Sequence, residues 1–264
     1  MKEELLKKLI AWGLAHVATL AVGVTFESCE IKGILCICNK DVVEAALKIP
    51  KDLIISSRLV PSEFPGVAID KDSNTWLKFF LSKLRYSRDD CISGLNEKFK
   101  PYLECLPAIV DSPLVWNPKE LLLLGGTNLG NSINLKLYAI MKEWYSFVRA
   151  NDIVDREEIS DDCDVYENFH NLPRETIFDQ LIVPLTSNSS PNWYSFAAFL
   201  WAHLMLISRA FPEYIIDKDV DPTSVMLLPV IDLLNHDYHS KVEWSFANDE
   251  FGYRRLESIK SGQE

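Results

Sequence analysis

Strand-like runs open this chain and close it, and a long block with helical periodicity lies between them. The early runs cover 22–26, 34–38 and 45–49, the last ended by Pro50, with a further short segment over 52–56 and a turn at Lys32-Gly33. The late runs cover 241–247 and 253–259, joined by a turn through Asn248-Asp-Glu250. Short β-branched runs bounded by glycine, proline or polar clusters are strand signals. Between them, apolar residues recur at steps of three and four over 75–86, 97–103, 118–124, 135–150 and 192–211, punctuated by prolines. An amphipathic helix over 3–16, with Leu5, Leu6, Leu9, Ile10 and Trp12 on its apolar side, precedes the first strands. The acidic, weakly patterned stretch 152–164 reads as a solvated connection. This order predicts an α+β fold whose N- and C-terminal β regions are interrupted by a large helical insertion. The divisions fall at 1–74, 75–211 and 212–264.

Composition narrows the class. A hydrophobic fraction of 48%, with seven Trp and thirteen Phe, is that of a chain able to build a packed core. A net charge of -11 opposes sequence-independent binding to nucleic acid and favours encounter with a basic partner such as a lysine-rich protein tail. The six cysteines form no C-x-x-C pair, so reduced thiols in an intracellular compartment are expected rather than a disulfide framework or a structural zinc. Glu3 and Glu4 are wrong for a signal peptide, and no apolar run reaches the roughly 20 residues that span a bilayer. A monomer of the cytoplasm, with the nucleus open, and with no membrane or nucleic-acid partner is the expectation.

The stretch Met226-Leu-Leu-Pro-Val-Ile-Asp-Leu-Leu-Asn-His-Asp-Tyr-His-Ser240 ends an apolar run in Asn235 and His236, two residues that hydrophobicity does not explain. It reads as buried extended backbone leading into a turn, which would present an amide, an imidazole and free backbone groups to a polar ligand. The plainer reading is a turn asparagine followed by an ordinary, partly buried histidine. The helical segment 192–211 starts with Ser190 as its cap and Pro191 in its first turn. It delivers Arg209, which suits either an acidic partner or an anionic ligand, the acid being favoured. Gly125-Gly-Thr-Asn-Leu-Gly-Asn-Ser132 nearly matches the phosphate-binding pattern G-x-x-x-x-G-K-[ST], but Asn131 stands where the lysine belongs. A glycine-terminated helix followed by the next helix start is the better account. His236, His239 and Asp237 lack the further partners that a metal site requires, and no metal is expected.

Several segments, in order, resemble the Rubisco large-subunit methyltransferase-like branch of SET-domain protein-lysine methyltransferases. They are Lys48-Ile-Pro50, Tyr102-Leu-Glu-Cys-Leu-Pro107, Ser112-Pro-Leu-Val-Trp116, 122–129, the Ser-Arg-Ala-Phe ending of 199–211, and Pro229-Val-Ile-Asp-Leu-Leu-Asn-His236. Fungal ribosomal-protein lysine methyltransferases are the relatives suggested. The resemblance implies a split SET-domain β fold, S-adenosylmethionine as cofactor, and methyl transfer to a lysine of a basic protein such as a ribosomal protein. Glu30, Ile31 and Lys32 would occupy the turn that cradles the cofactor, with Ile31 where relatives carry glycine. Asn235 and His236 would hold its amino acid portion and adenine. Arg209 would contact the cofactor or the surroundings of the substrate lysine, and Asp232 would line the lysine side. In the family the tyrosines of the lysine channel follow a run like Gly262-Gln263-Glu264, so no residue here is assigned as catalytic. The chain is therefore read as truncated before that segment and as weakly active or inactive alone. A non-catalytic interaction module built on the same fold is the alternative.

Overall fold

The computed structural model describes residues 2–16, 18–30, 33–43, 45–69, 72–87, 91–186 and 190–264. Helix α1 (Lys2–Ala15) buries Leu6, Leu9 and Trp12, one residue from each turn. Strand β1 (Thr19–Leu20), the hairpin of β2 (Val24–Cys29) and β3 (Gly33–Cys38), strand β4 (Ala46–Pro50), strand β5 (Ile55–Ser56) and helix α2 (Val60–Glu63) complete the early part. Helices α3 (Ser73–Tyr86), α4 (Leu95–Cys105), α5 (Pro118–Leu121), α6 (Asn128–Ala150), α7 (Ser160–Asn168), α8 (Arg174–Leu181), α9 (Val183–Thr186) and α10 (Phe196–Arg209) follow. The chain then returns to strands in β6 (Phe211–Pro212), β7 (Val225–Leu227), β8 (Val242–Ala247) and β9 (Glu250–Arg255).

The chain divides into two compact units, and the first joins both ends of the sequence: 1–73, 93–106 and 209–264. Its largest sheet has the order β1-β4-β9-β8, so an early strand lies hydrogen-bonded between β1 and a late one. Ile49 pairs with Phe251 and Leu47 with Tyr253, while Lys48 points away from the core. That period of two puts Leu47, Ile49 and Phe251 on one face, where they pack with Ala18, Ile54, Met226, Leu228 and Ile231. A second early–late pairing joins β5 to β7, Ile55 opposite Leu227. The split β architecture expected from the sequence is thus present. Helix α4 lies inside the sequence range read as an insertion, yet belongs to this unit, with Phe99 edge-on to Trp12 of α1 at 6.1 Å.

The second unit, 74–92 and 107–208, is helical, and its core is aromatic. Phe79 stacks on Phe147 at 5.3 Å and meets Phe199 at 4.9 Å. The buried Trp144 and Trp201 each place their indole N–H on a backbone carbonyl, of Tyr194 and Pro107 respectively.

Three local expectations change. Residues 152–164 are not a solvated connection: a 3-10 turn (Arg156–Ile159) and α7 bury Ile159, Cys163 and Val165 while most of their acids face water. Asp162 is turned inward, and its carboxylate accepts the Phe196 N–H at 2.8 Å. Burial pushes that carboxyl up to about 6, against the hydrogen bond that lowers it. This distant acid and Ser195, whose hydroxyl accepts the Ala198 N–H, cap α10, so the helix begins at Phe196 rather than beside Ser190 and Pro191. Helix α6 starts earlier than its apolar periodicity, at Asn128, because Thr127 caps it by accepting the Gly130 N–H at 3.0 Å. The glycine-rich stretch is therefore a turn between helices, as its missing lysine suggested. Among the described residues no helix is long and apolar enough to cross a membrane.

Candidate active site

Strand β7 ends at Leu227, and the chain reverses at once. Val230 makes the reversal with φ 76° and ψ -47°, a backbone region that β-branched residues rarely enter. Such a conformation costs on the order of 1–3 kcal/mol and persists only where surroundings over-determine it. Here they do. Val230 is buried, and its Cγ2 lies against Gly13 of α1, where even a single added Cβ would come within 3.1 Å of it. The Asp232 N–H spans the bend to the Leu228 carbonyl at 2.9 Å, and a 3-10 turn (Ile231–Leu233) buries all three of its side chains. The buried extended backbone expected over this stretch is thus interrupted by the turn and returns at Leu234, with φ -66° and ψ 132°.

The chain then surfaces as Asn235 and His236, both exposed. The Asn235 amide donates to the Ile34 carbonyl of β3 at 3.0 Å and to the Glu264 carboxylate at 2.6 Å. His236 is not the partly buried histidine of the plainer reading. Both residues line a cavity of about 660 Å³, within the range of small-molecule sites. Cys36 of β3, Tyr253 and Arg255 of β9, and Glu264 share its wall. Burial pushes the Cys36 thiol up to about 12, which leaves it a neutral, unreactive wall. Burial likewise raises the Tyr253 phenol, more than Arg255 lowers it. Arg255 Nη1 donates to the Glu264 carbonyl, while its buried Nε has no hydrogen-bond partner among the described residues.

Beneath the turn, Asp232 is buried with its carboxylate fully enclosed. Tyr102 of α4, also fully buried, donates its hydroxyl to Asp232 Oδ2 at 2.5 Å. Arg209 Nη1 donates to the Asp232 carbonyl at 3.2 Å and stands 4.0 Å from Oδ2. Burial raises the Asp232 carboxyl to about 6, while Arg209 and Tyr102 pull it down. The Tyr102 phenol lies well above its ordinary range, through burial first and the neighbouring carboxylate second, so it remains a donor.

No protein-family model matches the chain. A crystal structure of the SET domain of LSMT bound to methyllysine and AdoHcy (TM-score 0.68, 20% identity) and a structure of Rubisco LSMT bound to AdoMet (TM-score 0.65, 21% identity) each match 98% of this chain and 51% of their own. The fold is that of a SET domain. Ribosomal lysine N-methyltransferase 1 of Saccharomyces cerevisiae is 42% identical over 270 residues, 100% of this chain and 46% of that protein. Protein-lysine N-methyltransferase EFM1 of the same yeast is 29% identical over 257 residues, 90% of this chain and 42% of that protein. The chain is thus similar in sequence to protein-lysine N-methyltransferases, and it spans under half the length of these two relatives.

Of the residues singled out in the sequence, the fold brings Asn235 and His236 to the cavity wall. It pairs Arg209 with Asp232, the acidic partner its chemistry favoured, but this pair lies under the turn and not among the lining residues. Glu30 is exposed at the end of β2 and is not part of the wall, and Ile31 and Lys32 lie outside the described residues. Sequence reading named neither Tyr253 nor Arg255 as site residues. The signal was there: both follow Phe251 at steps of two, and such a run puts alternate side chains on one face. Tyr102 sat within a quoted motif without a role, and nothing local pointed from it to Asp232.

Proposed function

We propose that this SET domain serves S-adenosylmethionine-dependent N-methylation of lysine in a basic protein such as a ribosomal protein, with Asn235 and His236 holding the cofactor. The observation that carries the reading is the exposed Asn235–His236 pair at the edge of a cavity of about 660 Å³, set there by a tightly held turn. Homology to lysine methyltransferases supports the reaction class and does not favour the interaction-module alternative. The net charge of -11 supports a basic partner rather than nucleic acid. Six cysteines without disulfides agree with a reducing compartment, and we place the protein in the cytoplasm or nucleus as a monomer.

The residues fit the cofactor's mixed chemistry. An amide, an imidazole and an unpartnered guanidinium nitrogen offer polar contacts, while Cys36, Val24 and Leu47 supply an apolar wall that excludes water. When bound, S-adenosylmethionine supplies a sulfonium methyl group to a nucleophilic nitrogen. The acceptor lysine, with an ordinary pKa near 10.4, must first lose its proton, and apolar surroundings oppose its charged form. What the protein contributes is alignment, for which a turn fixed from below is suited. Glu30, Ile31 and Lys32 remain proposed cofactor contacts, Arg209 a proposed contact to the cofactor or to the surroundings of the lysine, and Asp232 a proposed residue of the lysine side.

The test is calorimetric titration with S-adenosylhomocysteine. The chain should bind it, and Asn235→Ala should weaken binding by about tenfold or more. Absence of binding to the unaltered chain, or equal binding by the variant, would sink the reading.

A further inference from the structure

Tyr102 is remote in sequence from the Asn235–His236 turn, yet it makes the only side-chain hydrogen bond to the Asp232 carboxylate among the described residues. Arg209 stands at 4.0 Å from that carboxylate and bonds the Asp232 carbonyl instead. The second carboxylate oxygen, Oδ1, and Arg209 Nε are both buried without a hydrogen-bond partner among the described residues. Among the described side chains, the carboxylate's hydrogen bond therefore comes from Tyr102, a donor that burial keeps protonated. Asp232 is also the residue through which the turn is tied: its N–H closes the bend over Val230, and its carbonyl takes the arginine. Two helices brace this bend. Helix α1 backs Val230 through Gly13, and α4, docked on α1 through Phe99 and Trp12, reaches Asp232 through Tyr102.

We infer that Tyr102 is a positioning residue, whose hydroxyl fixes the Asp232 carboxylate and through it the turn that presents Asn235 and His236 to the cofactor. The inference rests on the cofactor reading above for its effect on binding, and on geometry alone for its effect on the turn. The titratable and charged groups facing the carboxylate are Tyr102 and Cys105 from α4 and Arg209 from the end of α10. An apolar ring of the same shape in place of Tyr102 would leave the carboxylate buried with no side-chain donor, a larger penalty than an ordinary lost hydrogen bond.

The experiment uses Tyr102→Phe in the full chain, with two measurements. Calorimetry with S-adenosylhomocysteine from about pH 5 to 8 reads the site, and hydrogen exchange of residues 231–236 without ligand reads the turn. The variant is expected to lose about tenfold in affinity near neutral pH. The pH midpoint of its affinity should move upward, because the ionised carboxylate has lost a group that stabilises it. The amides of 231–236 should exchange faster. Asp232→Asn, which cannot ionise, should flatten the pH dependence. A lowered melting temperature with unchanged affinity, unchanged pH midpoint and unchanged exchange at 231–236 would overturn the inference and leave Tyr102 a plain core residue. Failure of the unaltered chain to bind S-adenosylhomocysteine would count against the cofactor reading, and exchange in the ligand-free chain would then decide on Tyr102 by itself.

Discussion

The turn leading into α6 is held by its own neighbours, whereas the turn leading out of β7 is held by residues from α1, α4 and the end of α10. In the first, Thr127 donates its hydroxyl to the Leu124 carbonyl at 2.7 Å and accepts the Gly130 N–H at 3.0 Å, while Gly126 takes the left-handed conformation at φ 77°. Gly130 is a glycine for space: a Cβ there would lie 2.3 Å from the Leu124 carbonyl oxygen. In the second, a valine takes a conformation that suits glycine, and the 3-10 turn that follows has no side-chain cap. Its order comes from buried contacts instead. A turn built from local chemistry carries its instructions with it. A turn built from distant contacts stores strain that only the assembled core can hold, which is the arrangement expected where a ligand must meet a preset backbone.

The largest test of this contrast is Asp232→Ala. It removes the acceptor of Tyr102 and the carboxylate facing Arg209 in a fully enclosed site, and should lower stability by about 3–5 kcal/mol in denaturant unfolding. A change under about 1 kcal/mol would mean that the two turns are held alike. Next comes Gly130→Ala, which should cost about 1–3 kcal/mol through the close carbonyl. ATP should show no affinity for either the parent or this variant. Nucleotide binding that Gly130→Ala abolishes would return the α6 turn to the phosphate-loop reading. The smallest effect belongs to Asp162→Asn, which keeps an acceptor for the Phe196 N–H. The Asp162 carboxyl titrates at about 6 when folded against an ordinary 3.8, so the folded state binds more protons between those values. Its contribution to stability should therefore fall as pH rises from about 4 to about 6 and stay level above. Melting temperatures across that range should show the parent gaining on the variant toward acid pH, and parallel curves would contradict the buried cap.

The same contrast explains what could be read without coordinates. The β regions at both ends were legible from short apolar runs bounded by turns, though the last strand runs over Glu250–Arg255 rather than 253–259, and α1 was legible because its apolar residues recur at helical spacing. Asn235 and His236 were legible because two polar residues closed an apolar run. The start of α10 was misread because Ser190 and Pro191 imitate a cap, while one real cap, Asp162, arrives from another helix. The stretch 152–164 was misread because its acids outnumber Ile159 and Cys163, which, with Val165 just beyond it, bury one side of it. Tyr102 was invisible as part of the site because its hydroxyl acquires a role only where α4 meets the turn.

The pairing of Ile49 with Phe251 has a consequence for how the protein is made. As the chain leaves the ribosome, β4 emerges with its β9-facing edge bare and must wait until Glu250–Arg255, far later in the sequence, has been made. Contacts this remote are slow to form, whereas the helices between them can collapse on near neighbours. The turn that carries Asn235 and His236 is expected to be among the last parts to become ordered. Recovery of S-adenosylhomocysteine binding should then trail recovery of helical signal during refolding, which makes the site a reporter of the moment when the early and late strands meet.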